Sequence, residues 1–229
     1  MNHFREGNRA YMRLHLPFGI RLSSDGWQDY ISKEEYLELS RYAGAKKIRI
    51  EGFKRYKGDI EIIKQLLDDI ETITRDFPLL LEGKKAVIVS LDENSNEDDF
   101  ATTIGHIIYI NAKLFNDTSY IKTEYDLAVS QGKFVHGTDY HAIIRHEIGH
   151  VVANIYNIDT MEVAQAVKPD MSEAEILVYV SEKLSLYAAD YSDGREFISE
   201  CFSAYYSGVE NTFANEYITK CKEYIKGGN

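Results

Sequence analysis

The five residues His146-Glu147-Ile148-Gly149-His150 constrain this chain more than any other stretch. Two histidines four apart share one face of an α-helix, so both imidazoles reach a single metal ion only if the segment is helical. Neutral imidazole is a good zinc ligand. Glu147, one position on, projects beside such a metal and is placed to take a proton from bound water. The flanks agree with a helix. Tyr140 to Ile155 reads as continuously amphipathic, with Ala142, Ile143, Val151, Val152 and Ile155 as its packing residues. Thr138 or Asp139 is placed to cap it. Gly149 costs about 1 kcal/mol in a helix interior, which implies that another element packs closely there. The competing reading is a chance pair of surface histidines.

A hydrolytic zinc site takes three protein ligands and keeps a fourth position open. No histidine follows His150, which removes a downstream three-histidine arrangement. Cys201 and Cys221 lie too far from the motif to build a thiolate site. The third ligand should then be a carboxylate. Glu196 and Glu200, four apart on a predicted helix from about Arg195 to Tyr206, supply two. One would bind the metal, and the other would accept the free N–H of a ligand histidine. The residues alone leave open which does which, and such a pair on an exposed helix is often inert.

Composition narrows the partners. The chain has 229 residues, enough for one large domain or two small ones. Apolar residues make up 44% and charged residues 28%, ordinary for a globular protein and against a fibrous or disordered one. Net charge is −11, which disfavours duplex nucleic acid as a partner. Two cysteines cannot form a disulfide framework and read as reduced thiols. There is no run of about 18 apolar residues to span a membrane and no secretion-signal pattern at the N-terminus. The expected location is therefore cytoplasmic.

Along the chain, residues 1 to about 30 show weak periodicity, with Pro17, Gly19, Gly26 and the only tryptophan, Trp27. They read as an arm. Ser32 to Glu35 forms a capping box for a helix to about Ala43, stopped by Gly44. Ile48 to Ile50 fits a strand. Asp59 to Phe77 carries a strong helical stripe ended by Pro78. Ala86 to Leu91 predicts a buried strand, Asp92 to Asp99 a solvated acidic loop without calcium-loop spacing, and Thr102 to Ala112 a second strand that contains His106. Helices then dominate: Tyr120 to Gln131, the motif helix, a capping-box helix from Ser172 to about Tyr187, Arg195 to Tyr206, and Thr212 to Ile225. Early strands and late helices predict an α+β fold with a small mixed or antiparallel sheet and a mainly helical half that carries the motif helix.

These residues together resemble the gluzincins, zinc peptidases with two helix histidines and a downstream glutamate. More narrowly, the chain is similar to the catalytic domain of anthrax lethal factor and to related domains of bacteriophage head proteins. Leu184 to Asp190 followed by Glu196-Phe-Ile-Ser-Glu-Cys-Phe202 matches the tyrosine, spacer and glutamate helix of that group, and His150 to Glu196 spans 46 positions (196 − 150). The resemblance covers roughly residues 100 to 210. It implies a zincin-like fold over residues 57 to 229, with 1 to 56 as an accessory segment. It implies one zinc ion on His146, His150 and Glu196, Glu147 as general base, and Glu200 either behind a ligand histidine or as the alternative ligand. Tyr187 would donate to the oxyanion of the reaction intermediate, with Tyr191 the other tyrosine in reach. The implied activity is zinc-dependent endopeptidase cleavage of a peptide or protein substrate. A further reading is a peptidase acting on a cytosolic regulator, which calls for a compact N-terminal recognition domain. The alternative is a phage head or virion component that keeps the fold, active or not, with head proteins as partners. Gly105 to Ile110 is either the sheet edge that would pair with a substrate peptide or an interior strand.

Overall fold

Local signals account for most of the helix starts. In the computed structural model, which describes residues 10–13, 30–83, 86–96 and 99–227, helix α1 (Lys33–Ala45) opens on a complete capping box. The Glu35 N–H donates to Ser32 Oγ at 3.2 Å and the Ser32 N–H to Glu35 Oε2 at 2.7 Å. Strand β2 (Arg49–Glu51) follows; it comes after β1 (Ala10–Arg13), the described part of the N-terminal stretch. The rest of the expected arm, with Pro17, Gly19, Gly26 and Trp27, lies outside the described residues. Helix α2 (Ile60–Thr74) is capped by Asp59 and buries Ile63, Leu66, Leu67, Ile70 and Ile73 on the predicted stripe. Pro78 then begins a short 3-10 turn.

The sheet departs from expectation at one place. Thr102 to Ala112 is a hairpin and not one strand: β3 (Ile88–Asp92) precedes β4 (Asp99–Ile104) and β5 (Ile107–Asn111). Ile104 pairs with Ile107 across a two-residue turn, Gly105-His106. Gly105 supplies the φ of +63° that a tight hairpin with right-handed twist needs at its first turn position. The turn is so short, and isoleucines flank it so closely, that strand-like composition runs through it unbroken. His106 consequently sits in the turn.

The five strands among the described residues are ordered β1-β4-β5-β3-β2. The β2–β3 and β3–β5 pairs are parallel, while β4–β5 and β1–β4 are antiparallel. The sheet is therefore mixed, and β5 lies inside it between β4 and β3. Of the two readings of residues 105 to 110, the interior strand is the observed one.

The remainder is helical: α3 (Ala112–Phe115), α4 (Thr118–Ser130), α5 (Ala142–Tyr156), α6 (Thr160–Val167), α7 (Glu173–Lys183), α8 (Phe197–Tyr206) and α9 (Thr212–Gly227). The α+β expectation is met. Helices α3 and α6 were not anticipated, and α7 ends at Lys183, four residues before Tyr187, which occupies a separate 3-10 turn. One hydrophobic cluster runs from Leu39 and Phe53 through Leu67, Ile108 and Ile148 to Cys221, so α1 and β2 share their core with the helical half. No described helix is long and apolar enough to cross a membrane. Helix α5 sits centrally, with α8, α2 and β4 all packed against it.

Candidate metal centre

The motif helix is fixed from both ends and across its middle. At its start the Asp139 carboxylate accepts the His141 N–H at 3.0 Å and the Asp139 carbonyl accepts that of Ala142 at 2.8 Å. The helix boundary falls at His141, which gives no side-chain cap, so neither Thr138 nor Asp139 is the cap; Asp139 braces the turn just ahead of it. At its end Asn157 takes the left-handed conformation, φ +54°. In the middle, Gly149 faces the start of α8. A Cβ built there would lie 2.7 Å from Ser199 Cα and 3.1 Å from Ser199 N. That close approach is what the helix-interior glycine implied, and it carries Glu196 and Glu200 to the two histidines.

Three ligand-type atoms converge there. His146 Nε2 and His150 Nε2 are 3.1 Å apart, and Glu196 Oε2 lies 3.2 Å from the first and 3.1 Å from the second. A tetrahedral ion with ligands at about 2.0–2.1 Å spaces them roughly 3.3–3.4 Å apart, so the triangle is close to the required size. His146 Nδ1 is 2.8 Å from Glu200 Oε1. Assigned from this network, Nδ1–H donates to Glu200, which leaves Nε2 facing His150 and Glu196. Neither oxygen of Glu196 has a well-formed hydrogen bond, although it is fully buried. Burying acceptors against one another is costly unless a cation lies between them. His146, His150 and Glu196 are thus close enough, and of the right chemistry, to bind a metal ion. This arrangement puts Glu196 among the three converging groups and Glu200 behind His146.

The charged groups of the centre act on one another. Burial pulls the His146 imidazole down, but its hydrogen bond to Glu200, its close contact with Glu196 and the charges of both carboxylates overcome this and raise it. Burial works against ionisation of Glu196, yet the His150 charge and the His146 and His150 contacts hold its carboxyl well below the usual range.

Glu147 is fully buried beside this centre. Burial pushes its carboxyl up, while the charges of His146 and His150 and the hydroxyl of Thr103 pull it back. Tyr187 is also close: its ring centroid lies 5.7 Å from that of His146, braced edge-on by Phe134 at 5.7 Å. Burial, followed by the charges of Glu196 and Glu147, pushes its phenol well up, so it stays protonated and able to donate. Tyr191 instead lies under the Arg195 guanidinium, 4.7 Å from its ring centroid.

A cleft of about 350 Å³ opens beside the centre, lined by Thr103, His150, Asn154, Asn157, Asp193 and Arg195 among others. The His150 side chain is 7% exposed and that of His146 not at all. Access to the centre is therefore from the His150 side. Thr103 went unnoticed in the sequence, because an inward threonine in a β-rich run carries no local mark of what it faces. Comparison with known proteins finds no matching family model, curated protein or solved structure.

Proposed function

We propose that the chain is a zinc-dependent endopeptidase of the gluzincin type with a zincin-like fold. The observation that carries the reading is the triangle of His146 Nε2, His150 Nε2 and Glu196 Oε2 with buried Glu147 alongside. Two imidazoles and one carboxylate suit zinc, whereas calcium or magnesium would call for a shell built mainly of oxygens. A bound zinc ion would lower the pKa of its water to near 7 and polarise the scissile carbonyl.

The protein groups have distinct tasks. His146, held by Glu200, keeps one ring orientation, so its lone pair is fixed before metal arrives. Glu147 takes the proton from the attacking water and passes it to the leaving amine. The buried carboxyl favours the proton more than a free glutamate does, which suits a group that must first accept it. The Tyr187 hydroxyl donates to the oxygen of the tetrahedral intermediate, where negative charge develops. The cleft beside His150 would receive the peptide. A purely structural metal site has no use for a buried carboxylate in the position of Glu147, and this favours catalysis over a virion component that only keeps the fold.

The test is cleavage of a mixed peptide library by the zinc-loaded protein, with products read by mass spectrometry. Internal cleavage that stops on chelation and returns with zinc is expected. Full zinc occupancy with no cleaved peptide would contradict the reading.

A further inference from the structure

We propose that Thr103 is a positioning residue for Glu147, fixing one carboxylate oxygen so that the other is left to handle the water proton; the inference rests on the peptidase reading above. Thr103 belongs to β4, is 1% exposed, and lines the cleft beside His150. Its Oγ1 lies 2.6 Å from Glu147 Oε2 and 3.2 Å from the Glu147 carbonyl oxygen. A hydroxyl has one proton to give. The shorter contact falls within the range of about 2.5–2.7 Å for a hydroxyl donating to an ionised oxygen. The proton therefore goes to Oε2.

Glu147 Oε1 has no hydrogen-bond partner among the described residues. The carboxylate is thus held by one oxygen and unpartnered at the other, although that oxygen is buried; a base needs such a spare acceptor, with a fixed lone pair for one water. The anchor itself is rigid. Thr103 pairs with Ile108 of β5 on one side and with Ala10 of β1 on the other. Its hydroxyl is therefore set by the sheet, whereas Glu147 is set by α5. The contact ties the two elements together at the reacting group.

A plain structural tether between β4 and α5 would use the same atoms, so the test must separate the two roles. Thr103→Val keeps the shape and removes the hydroxyl; Thr103→Ser keeps the hydroxyl. With zinc loaded, Thr103→Val is expected to lower kcat by about 10- to 100-fold, the range for loss of a supporting partner. KM and zinc affinity, the latter by chelator competition, should stay near wild type. Thr103→Ser should restore most of kcat. Should Thr103→Val fail to fold, Thr103→Ala is read in the same way.

Crystal structures of the variants give a readout independent of turnover. The Glu147 carboxylate should leave its wild-type position in Thr103→Val and keep it in Thr103→Ser. Unchanged kcat with an unmoved carboxylate would overturn the proposal, as would equal losses in zinc affinity and kcat in both variants. If the wild type binds zinc but cleaves nothing, the peptidase reading fails, and the carboxylate position alone decides whether Thr103 orients Glu147.

Discussion

Replacing Glu147 by glutamine is expected to lower kcat/KM for peptide cleavage by about 10²- to 10⁴-fold while zinc stays at one ion per chain. The separation of effects follows from geometry. Glu147 does not belong to the triangle of potential ligand atoms, whose members are His146, His150 and Glu196. Glutamine has nearly the same shape and still offers Thr103 an acceptor, so the packing of α5 against β4 should survive. What is lost is the ability to take a proton from water. Parallel measurement of bound zinc and of cleavage decides the matter: a variant that holds zinc and still turns over at the wild-type rate would remove Glu147 from the mechanism.

Gly149→Ala is expected to act through packing instead. In an ordinary helix interior this change stabilises by about 1 kcal/mol. Here the new methyl would come within 2.7 Å of backbone atoms in α8, and neither helix can yield without moving the other. Overpacking of this kind costs about 1–3 kcal/mol or more, so the net effect should be destabilising. Separation of α5 from α8 also pulls Glu196 and Glu200 away from the histidines, so zinc affinity should fall together with stability. Gly44 in α1 is the control, since nothing lies within 4 Å of a Cβ built there. Gly44→Ala should be neutral or stabilising by up to about 1 kcal/mol. Chemical denaturation of both variants, with zinc affinity for the first, checks the prediction. Equal behaviour at the two sites would contradict it.

The contrast between these glycines shows which parts of the molecule a sequence discloses. Local chemistry was readable. Capping boxes at Ser32 and Ser172 mark real helix starts, and the stripe from Ile63 to Ile73 is buried as its period implies. The i, i+4 spacings of His146 with His150 and of Glu196 with Glu200 put each pair on one helix face. Gly149 signalled a close neighbour but could not name it. Contacts between distant segments left no such trace. Thr103 meets Glu147 across 44 positions, and nothing near either residue records it. The division of labour between Glu196 and Glu200 likewise emerges only once α8 is set against α5. Helix α6 was missed because eight residues give too few turns for a periodic pattern, although its cap, Asp159 bonded to the Glu162 N–H, is an ordinary one.

The central claim is that one zinc ion is held by two histidines and Glu196. The most direct measurement is a crystal structure of the zinc-loaded protein with anomalous diffraction at the zinc edge. One peak is predicted, bonded to His146 Nε2, His150 Nε2 and a Glu196 oxygen at about 2.0–2.2 Å, with Glu200 still on His146 Nδ1. A peak elsewhere, Glu200 as the third ligand, or no zinc retained after dialysis would contradict the account.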